Sequence, residues 1–293
     1  MSKLSITESR NSDTVGIDLM SSLEIVRILN NEDKKVACAI EKTLPQIAQA
    51  IDIISESFLK GGRLAYFGAG TSGRLGVLDA SEMPPTFGVN PQMVQGFIAG
   101  GKQALRHPVE HAEDKKELAL QDIKEFSPTE CDVVIALSAS GQAQYCITAL
   151  EAARQAGATT IAISSNPHAR IGTLADIFIN PIVGPEAITG SSRLKSGTAQ
   201  KMILNMISTG AMIRIGKTYE NYMIDLQLTN KKLVQRGTRF ISEICHISLK
   251  EAAQYLKTAQ NVKTACVMAL KQCTKEHAEE LLAQHHGILR EVI

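Results

Sequence analysis

Four hydroxyls in two short loops are the side chains of this sequence best suited to hold an anion. Thr71 and Ser72 stand in GAGTSGR, Gly68 to Arg74, directly after the apolar run Leu64 to Phe67. Ser138 and Ser140 stand in SASG, closing at Gly141, directly after Val133 to Leu137. In each case a short strand runs into small hydroxyl residues and glycine, and a helical pattern follows. A helix start presents free backbone N–H groups and the positive end of its dipole, so hydroxyls placed there hold an anion. Either loop by itself is a weak signal, since serine-glycine turns commonly just cap helices. Two of them at the carboxyl ends of parallel strands can converge on one phosphate. Gly70, Thr71, Ser72, Ser138, Ser140 and Gly141 are the candidate cradle, and such a cradle needs no metal.

The first loop also fits the dinucleotide fingerprint G-x-G-x-x-G through Gly68, Gly70 and Gly73. That use requires a full helix and then a second parallel strand ending in an acidic residue for the ribose. Met83-Pro84-Pro85 predicts an early stop to the helix, because proline lacks an amide donor and biases its predecessor away from helical angles. The next strand, Met93 to Ile98, runs into Ala99-Gly100-Gly101 with no acid at its end. A single phosphate is therefore the expected ligand, not a cofactor pyrophosphate.

Two glutamates are candidates for proton transfer. Glu82 is expected at the end of the short helix stopped by Pro84, where the negative dipole end would favour a protonated general acid. Glu113, in His111-Ala112-Glu113-Asp114, is expected near a helix start, where a base stays ionised. Spacing does not separate this from the ordinary case of solvated or capping glutamates. A third group, Arg193 and Lys195 with Lys201 among Ser191, Ser192, Thr198 and Gln200, could close over an anionic substrate, or could satisfy loop backbone and local carboxylates.

The elements that must position these residues alternate. Apolar runs at Leu64 to Phe67, Val94 to Ile98, Val133 to Leu137, Thr160 to Ile163 and Ile177 to Ile179 are separated by helical segments. This predicts an α/β fold with a parallel sheet of about five strands flanked by helices on both faces, ligands lying beyond the strands' carboxyl ends. Ser21 with Glu24 makes a capping box opening a helix through Leu29, and a second helix is expected from Asp33 towards Leu59, interrupted at Pro45. Residues 1–20 are polar and expected to be irregular or pinned onto another subunit. A helix from Met202 through Ile213 is apolar almost all round, which predicts burial between sheet and partner subunit and so a homodimer. The expected domains are an N-terminal helical segment over 1–55, a ligand-binding domain over 56–220 and a three-helix, UBA-like region over 221–293.

Composition excludes several classes. The net charge of +1 over 293 residues supplies no field for nucleic acid or an anionic membrane, and aromatic content of 4% argues against base-stacking surfaces. No apolar stretch reaches the roughly 20 residues of a membrane span, and MSKLSITESRNSDT lacks a signal-peptide core, so a cytoplasmic location is expected. The six cysteines show no C-x-x-C spacing and read as reduced. His107 and His111 are four apart, but Pro108 obstructs a helix through the pair, so no metal is expected.

The two loops resemble the sugar isomerase (SIS) domain. The longer stretches GAGTSGRLGVLDASEMPPTFG from Gly68, VEHAEDK from Val109 and GPEAITGSSRLKSGTAQKMILNM from Gly184 resemble the N-acetylmuramic acid 6-phosphate etherase family over nearly the whole chain. The resemblance implies a cofactor-free lyase that removes D-lactate from a phosphorylated amino sugar. It implies that Glu82, in ASEMPP, is the proton donor and Glu113, in HAEDK, the second catalytic carboxylate. Two departures are Met83, where relatives can carry cysteine, and His111, where glycine can occur. The resemblance extends to the glucokinase regulatory protein, so a non-catalytic phosphosugar-binding regulator is an alternative. An aldose-ketose isomerase is another; a phosphosugar-sensing transcription factor is disfavoured by the lack of a basic recognition helix near the N-terminus.

Overall fold

The computed structural model describes residues 5–293; the first four residues of the polar segment 1–20 lie outside the described residues. In chain order come α1 (Ser22–Glu41), α2 (Leu44–Leu59), β1 (Leu64–Gly68), α3 (Gly70–Phe87), β2 (Val94–Ile98), the single turn α4 (Gly101–Ala104) and α5 (Lys116–Phe126). They are followed by β3 (Val133–Leu137), α6 (Gln144–Gln155), β4 (Thr159–Ile163), α7 (Arg170–Leu174), β5 (Ile177–Ile179) and α8 (Lys195–Arg214). A hairpin of β6 (Thr218–Tyr219) and β7 (Tyr222–Met223) leads to α9 (Lys231–Cys245), α10 (Leu249–Ala259), α11 (Val262–Lys271) and α12 (Lys275–Gln284). Four helices thus close the chain where three were expected.

The chain divides into two compact units: the described residues up to Ser81 with Gln92–Ser208, and Glu82–Pro91 with Thr209–Ile293. The first unit holds the five-stranded parallel sheet, in the order β2-β1-β3-β4-β5. Leu64 pairs with Val94 on one side and Val133 on the other, which fixes the centre of the sheet. Every residue of β1 and β3 is buried, as continuous apolar strands covered on both faces must be. The connection leaves β1 towards one edge and β3 towards the other. The crevice opened by that reversal, at the carboxyl ends of β1 and β3, is where such sheets bind ligands. Both hydroxyl loops start there.

An aromatic cluster fills the core beneath: Phe67 stacks on Phe97 at 4.8 Å between ring centres, and Phe126 meets both edge-on. In the second unit, Phe240, Ile241, Leu256 and Cys266 centre a separate core. The capping boxes expected at Ser21–Glu24 and Ser248–Glu251 are both formed.

Two helices differ from expectation. α1 runs without interruption through Asp33 to Glu41, and Pro45 sits in the first turn of α2, where its missing N–H has no helical acceptor to lose. α3 does not stop before Pro84: it continues to Phe87 with Pro84 and Pro85 inside. The prolines remove the N–H groups that would reach the carbonyls of Ala80 and Ser81. Their fixed φ still suits a helix, and the turn closes when the Gly88 N–H donates to the Pro84 carbonyl at 2.9 Å. Met83 and Phe87 are buried, so packing offsets the lost bonds. All six cysteines are free thiols.

Candidate active site

The first loop is built by close packing. A Cβ on Gly68 would lie 2.6 Å from the Gly73 nitrogen, and one on Gly73 would lie 2.5 Å from the Gly68 oxygen. These two glycines let α3 start against the end of β1. Gly70 has φ +55°, the left-handed angle that turns the chain into the helix. The N–H groups of the first turn, with the Thr71 and Ser72 hydroxyls, have no intrahelical acceptor.

The second loop is held open in a complementary way. The Gly141 N–H donates to the Ser138 hydroxyl at 3.0 Å, and the Gln142 N–H donates to the Ser140 hydroxyl at 3.3 Å. Each hydroxyl spends a lone pair on its own loop and keeps its proton to donate outward. Gly141 has φ +71°, and a Cβ there would lie 2.1 Å from that of Ala169. Asn166 donates to the Ser140 carbonyl at 2.8 Å and Ser164 donates to the Ala139 carbonyl at 3.0 Å, so the loop after β4 braces the cradle.

The two loops meet in a cleft of about 290 Å³. Its walls bring Gly70, Thr71, Ser72, Ser138 and Ser140 together with Glu113. Glu113 lies in a short 3-10 turn, Ala112–Asp114, entered through His111 at φ +57°. The buried Cys146 thiol feels this carboxylate: burial pushes it up to about 12, and the Glu113 charge adds to the effect. Cys146 is thus a packing residue under the cleft, its S–H directed at the Leu137 carbonyl.

Ser192, one of the donors expected before α8, is on the cleft wall, and so are Thr7, Glu8 and Gly190, to which the sequence assigns no ligand contact. Thr7 and Glu8 come from a 3-10 turn, Ile6–Glu8, in the segment expected to be irregular or pinned to another subunit. It is held onto its own chain. Asn11 donates to Glu32 on α1 at 2.8 Å and to the Pro185 carbonyl at 3.2 Å. No periodic pattern announces such turns, which is why the sequence hides them.

The remaining expected residues lie elsewhere. Gly141 shapes the second loop from behind. Arg193 is exposed and is not among the cleft walls. Lys195 takes the second of the two roles open to it, pairing with a carboxylate: it is 1% exposed, and its ammonium is spent on Glu32 at 2.5 Å. Burial would raise the Glu32 carboxyl, but hydrogen bonds from Lys195, Lys35 and Asn11 overcome it and hold the group at about 2. The backbone N–H groups of Lys195 and Ser196 donate to the buried Glu186 carboxylate at 2.8 and 2.9 Å, which caps α8 just after Gly190 and Ser192. Glu82 is exposed within α3, in the second unit, whereas the cleft walls named above all belong to the first. Because α3 runs on to Phe87, Glu82 lies more than a turn from the helix end and outside the reach of its dipole. Among the described residues no group of acidic, histidine or cysteine side chains is arranged to hold a metal ion.

Known domains match most of the chain. The glucokinase regulatory protein N-terminal SIS domain matches residues 46–154, the SIS domain matches 110–210, and the C-terminal lid domain of glucokinase regulatory protein matches 220–261. Among solved structures, a phosphoheptose isomerase from Francisella tularensis is 16% identical with a TM-score of 0.50, covering 67% of this chain and 98% of its own, a likeness of fold. Full-length relatives are much closer. The N-acetylmuramic acid 6-phosphate etherase of Glaesserella parasuis is 54% identical, over 96% of this chain and 93% of its own. That of Vibrio campbellii is 52% identical, over 98% and 94%. With half of its residues shared across nearly its whole length, this chain belongs to the N-acetylmuramic acid 6-phosphate etherase family.

Proposed function

We propose that the chain is a carbon-oxygen lyase that splits the D-lactyl ether of N-acetylmuramic acid 6-phosphate. The observation that carries this reading is the cleft itself, where two hydroxyl loops able to hold a phosphate share their walls with the carboxylate Glu113. In the open-chain sugar the C1 aldehyde acidifies the C2 proton. Glu113 removes that proton, electrons move into a C2–C3 double bond, and the C3–O bond breaks as Glu82 protonates the leaving oxygen. Water then adds across the double bond. N-acetylmuramic acid 6-phosphate and one water yield N-acetylglucosamine 6-phosphate and D-lactate, a balance that needs no redox partner. The role of Glu82 rests on the motif ASEMPP; that of Glu113 rests on the motif and on its place in the cleft.

Phosphosugar binding is assigned to residues 56–220, with 1–55 adding Thr7 and Glu8 to the cleft and 221–293 forming a helical region of its own. We assign the active form as a cytoplasmic homodimer. Purified protein should release D-lactate from the substrate without added metal or nucleotide; no release above an enzyme-free control, from folded protein, would remove the reading. The regulator alternative predicts binding of the phosphosugar with no turnover in the same assay.

A further inference from the structure

A second cavity, of about 270 Å³, shares Ala69, Gly70 and Glu113 with the phosphate cleft. Glu113 therefore stands on a wall common to two spaces of opposite character. The first is lined by hydroxyls. The second is lined by the small apolar groups of Ala99, Ala104, Pro108, Val109 and Ala112, with Arg74, Glu110 and the exposed His111 as its polar side chains besides Glu113.

Arg74 is already aimed. Its Nε and Nη2 donate to the carbonyls of Leu105 and Ala104 at 3.1 and 2.7 Å, just after the single turn α4. A guanidinium has five N–H donors, so three are left over. No carboxylate forms an ion pair with Arg74 among the described residues. Glu110, the other carboxylate on these walls besides Glu113, is exposed to solvent. A half-buried arginine held rigid by main-chain carbonyls, with free donors and apolar neighbours, is suited to a small organic carboxylate.

We propose that this cavity is the leaving-group subsite, in which Arg74 binds the lactyl carboxylate while the alanine and valine side chains take the lactyl methyl. The inference rests on the lyase reading above. It gives the substrate's two anionic ends separate receivers, phosphate on the hydroxyl loops and carboxylate on Arg74. The bond to be broken then lies beside Glu113, on the wall between them. Arg74 acts as a specificity-determining residue, separating substrate from phosphosugars without the acid.

The test is a pair of affinities. In Arg74→Gln, which can still donate to a backbone carbonyl, KM for N-acetylmuramic acid 6-phosphate should rise about 10- to 100-fold, the worth of a charge-assisted hydrogen bond. Affinity for N-acetylglucosamine 6-phosphate, which keeps the phosphate and lacks the lactyl acid, should stay within about 3-fold. Arg74→Lys should recover part of the loss. Equal losses for both ligands, or no loss for either, would overturn the assignment. Should Arg74→Gln fail to fold, wild-type protein decides: the lactyl carboxamide should bind about 10- to 100-fold more weakly than the acid, and equal binding overturns the proposal. If wild-type protein shows that preference in binding yet releases no D-lactate, the lyase reading fails while the subsite stands.

Discussion

At the scale of single residues, the cradle and the base separate into different measurements. Removing a hydroxyl that donates to a phosphate weakens ground state and transition state alike, so Ser72→Ala or Ser138→Ala should raise KM about 10-fold or more with kcat little changed. Glu113→Gln should instead lower kcat by roughly 10²- to 10⁴-fold and abolish C2 hydrogen exchange in heavy water. Glu82→Ala should lose ether cleavage and keep part of that exchange; the opposite pattern in the two variants would reverse their roles. If Glu8, on the cleft wall, accepts from a sugar hydroxyl or the amide N–H, Glu8→Gln should raise KM about 10-fold without lowering the melting temperature. The hydroxyls were legible in the sequence because each belongs to a local strand-loop-helix pattern. Lys195 was not, because the carboxylate that consumes its charge lies 163 residues away at Glu32. Glu8 was not either, since its placement depends on Asn11 reaching Glu32 and Pro185.

At the scale of elements, α8 begins where three parts of the chain converge: Glu186 caps its first N–H groups, and Glu32 of α1 holds Lys195. The strands were legible to within a residue because short, mostly apolar and β-branched runs bounded by polar or turn residues have few other uses. α3 runs longer than its prolines predict because proline's penalty is local, whereas the burial of Met83 and Phe87 is not. The ion pair at Glu32 makes this corner acid-labile. Its carboxyl is depressed from 4.5 to about 2 in the folded chain, so its contribution is present above 4.5 and is lost as pH falls from there towards 2. The shift corresponds to on the order of 3 kcal/mol. Amide protection around Asn11, taken relative to the intrinsic exchange rate at each pH, should therefore fall over that interval. In Glu32→Gln, which leaves Lys195 buried without a counter-charge, exchange should already be fast at neutral pH, and a flat wild-type profile would count against the account.

At the scale of the whole molecule, α8 is covered by its own chain more fully than its sequence suggests. The sequence showed α8 as apolar almost all round and in need of a partner. In the fold its residues Ile203, Leu204, Ile207 and Met212 are buried within the chain, leaving Met206 at 36% and Ile213 at 50% exposure. More apolar surface is left open on α1, at Leu23 and Val26, and on α3, at Leu78, each more than half exposed. Scattered apolar residues are ordinary on a protein surface, so the dimer depends on whether these side chains are covered together. Sedimentation velocity should give twice the chain mass at micromolar concentration. Placing a carboxylate in a covered apolar contact costs several kcal/mol, enough to shift dissociation by two or more decades. Met206→Glu and Leu78→Glu should then sediment as monomers with an unchanged circular dichroism spectrum. A wild-type monomer under these conditions would mean that α8 finds all the cover it needs inside its own chain.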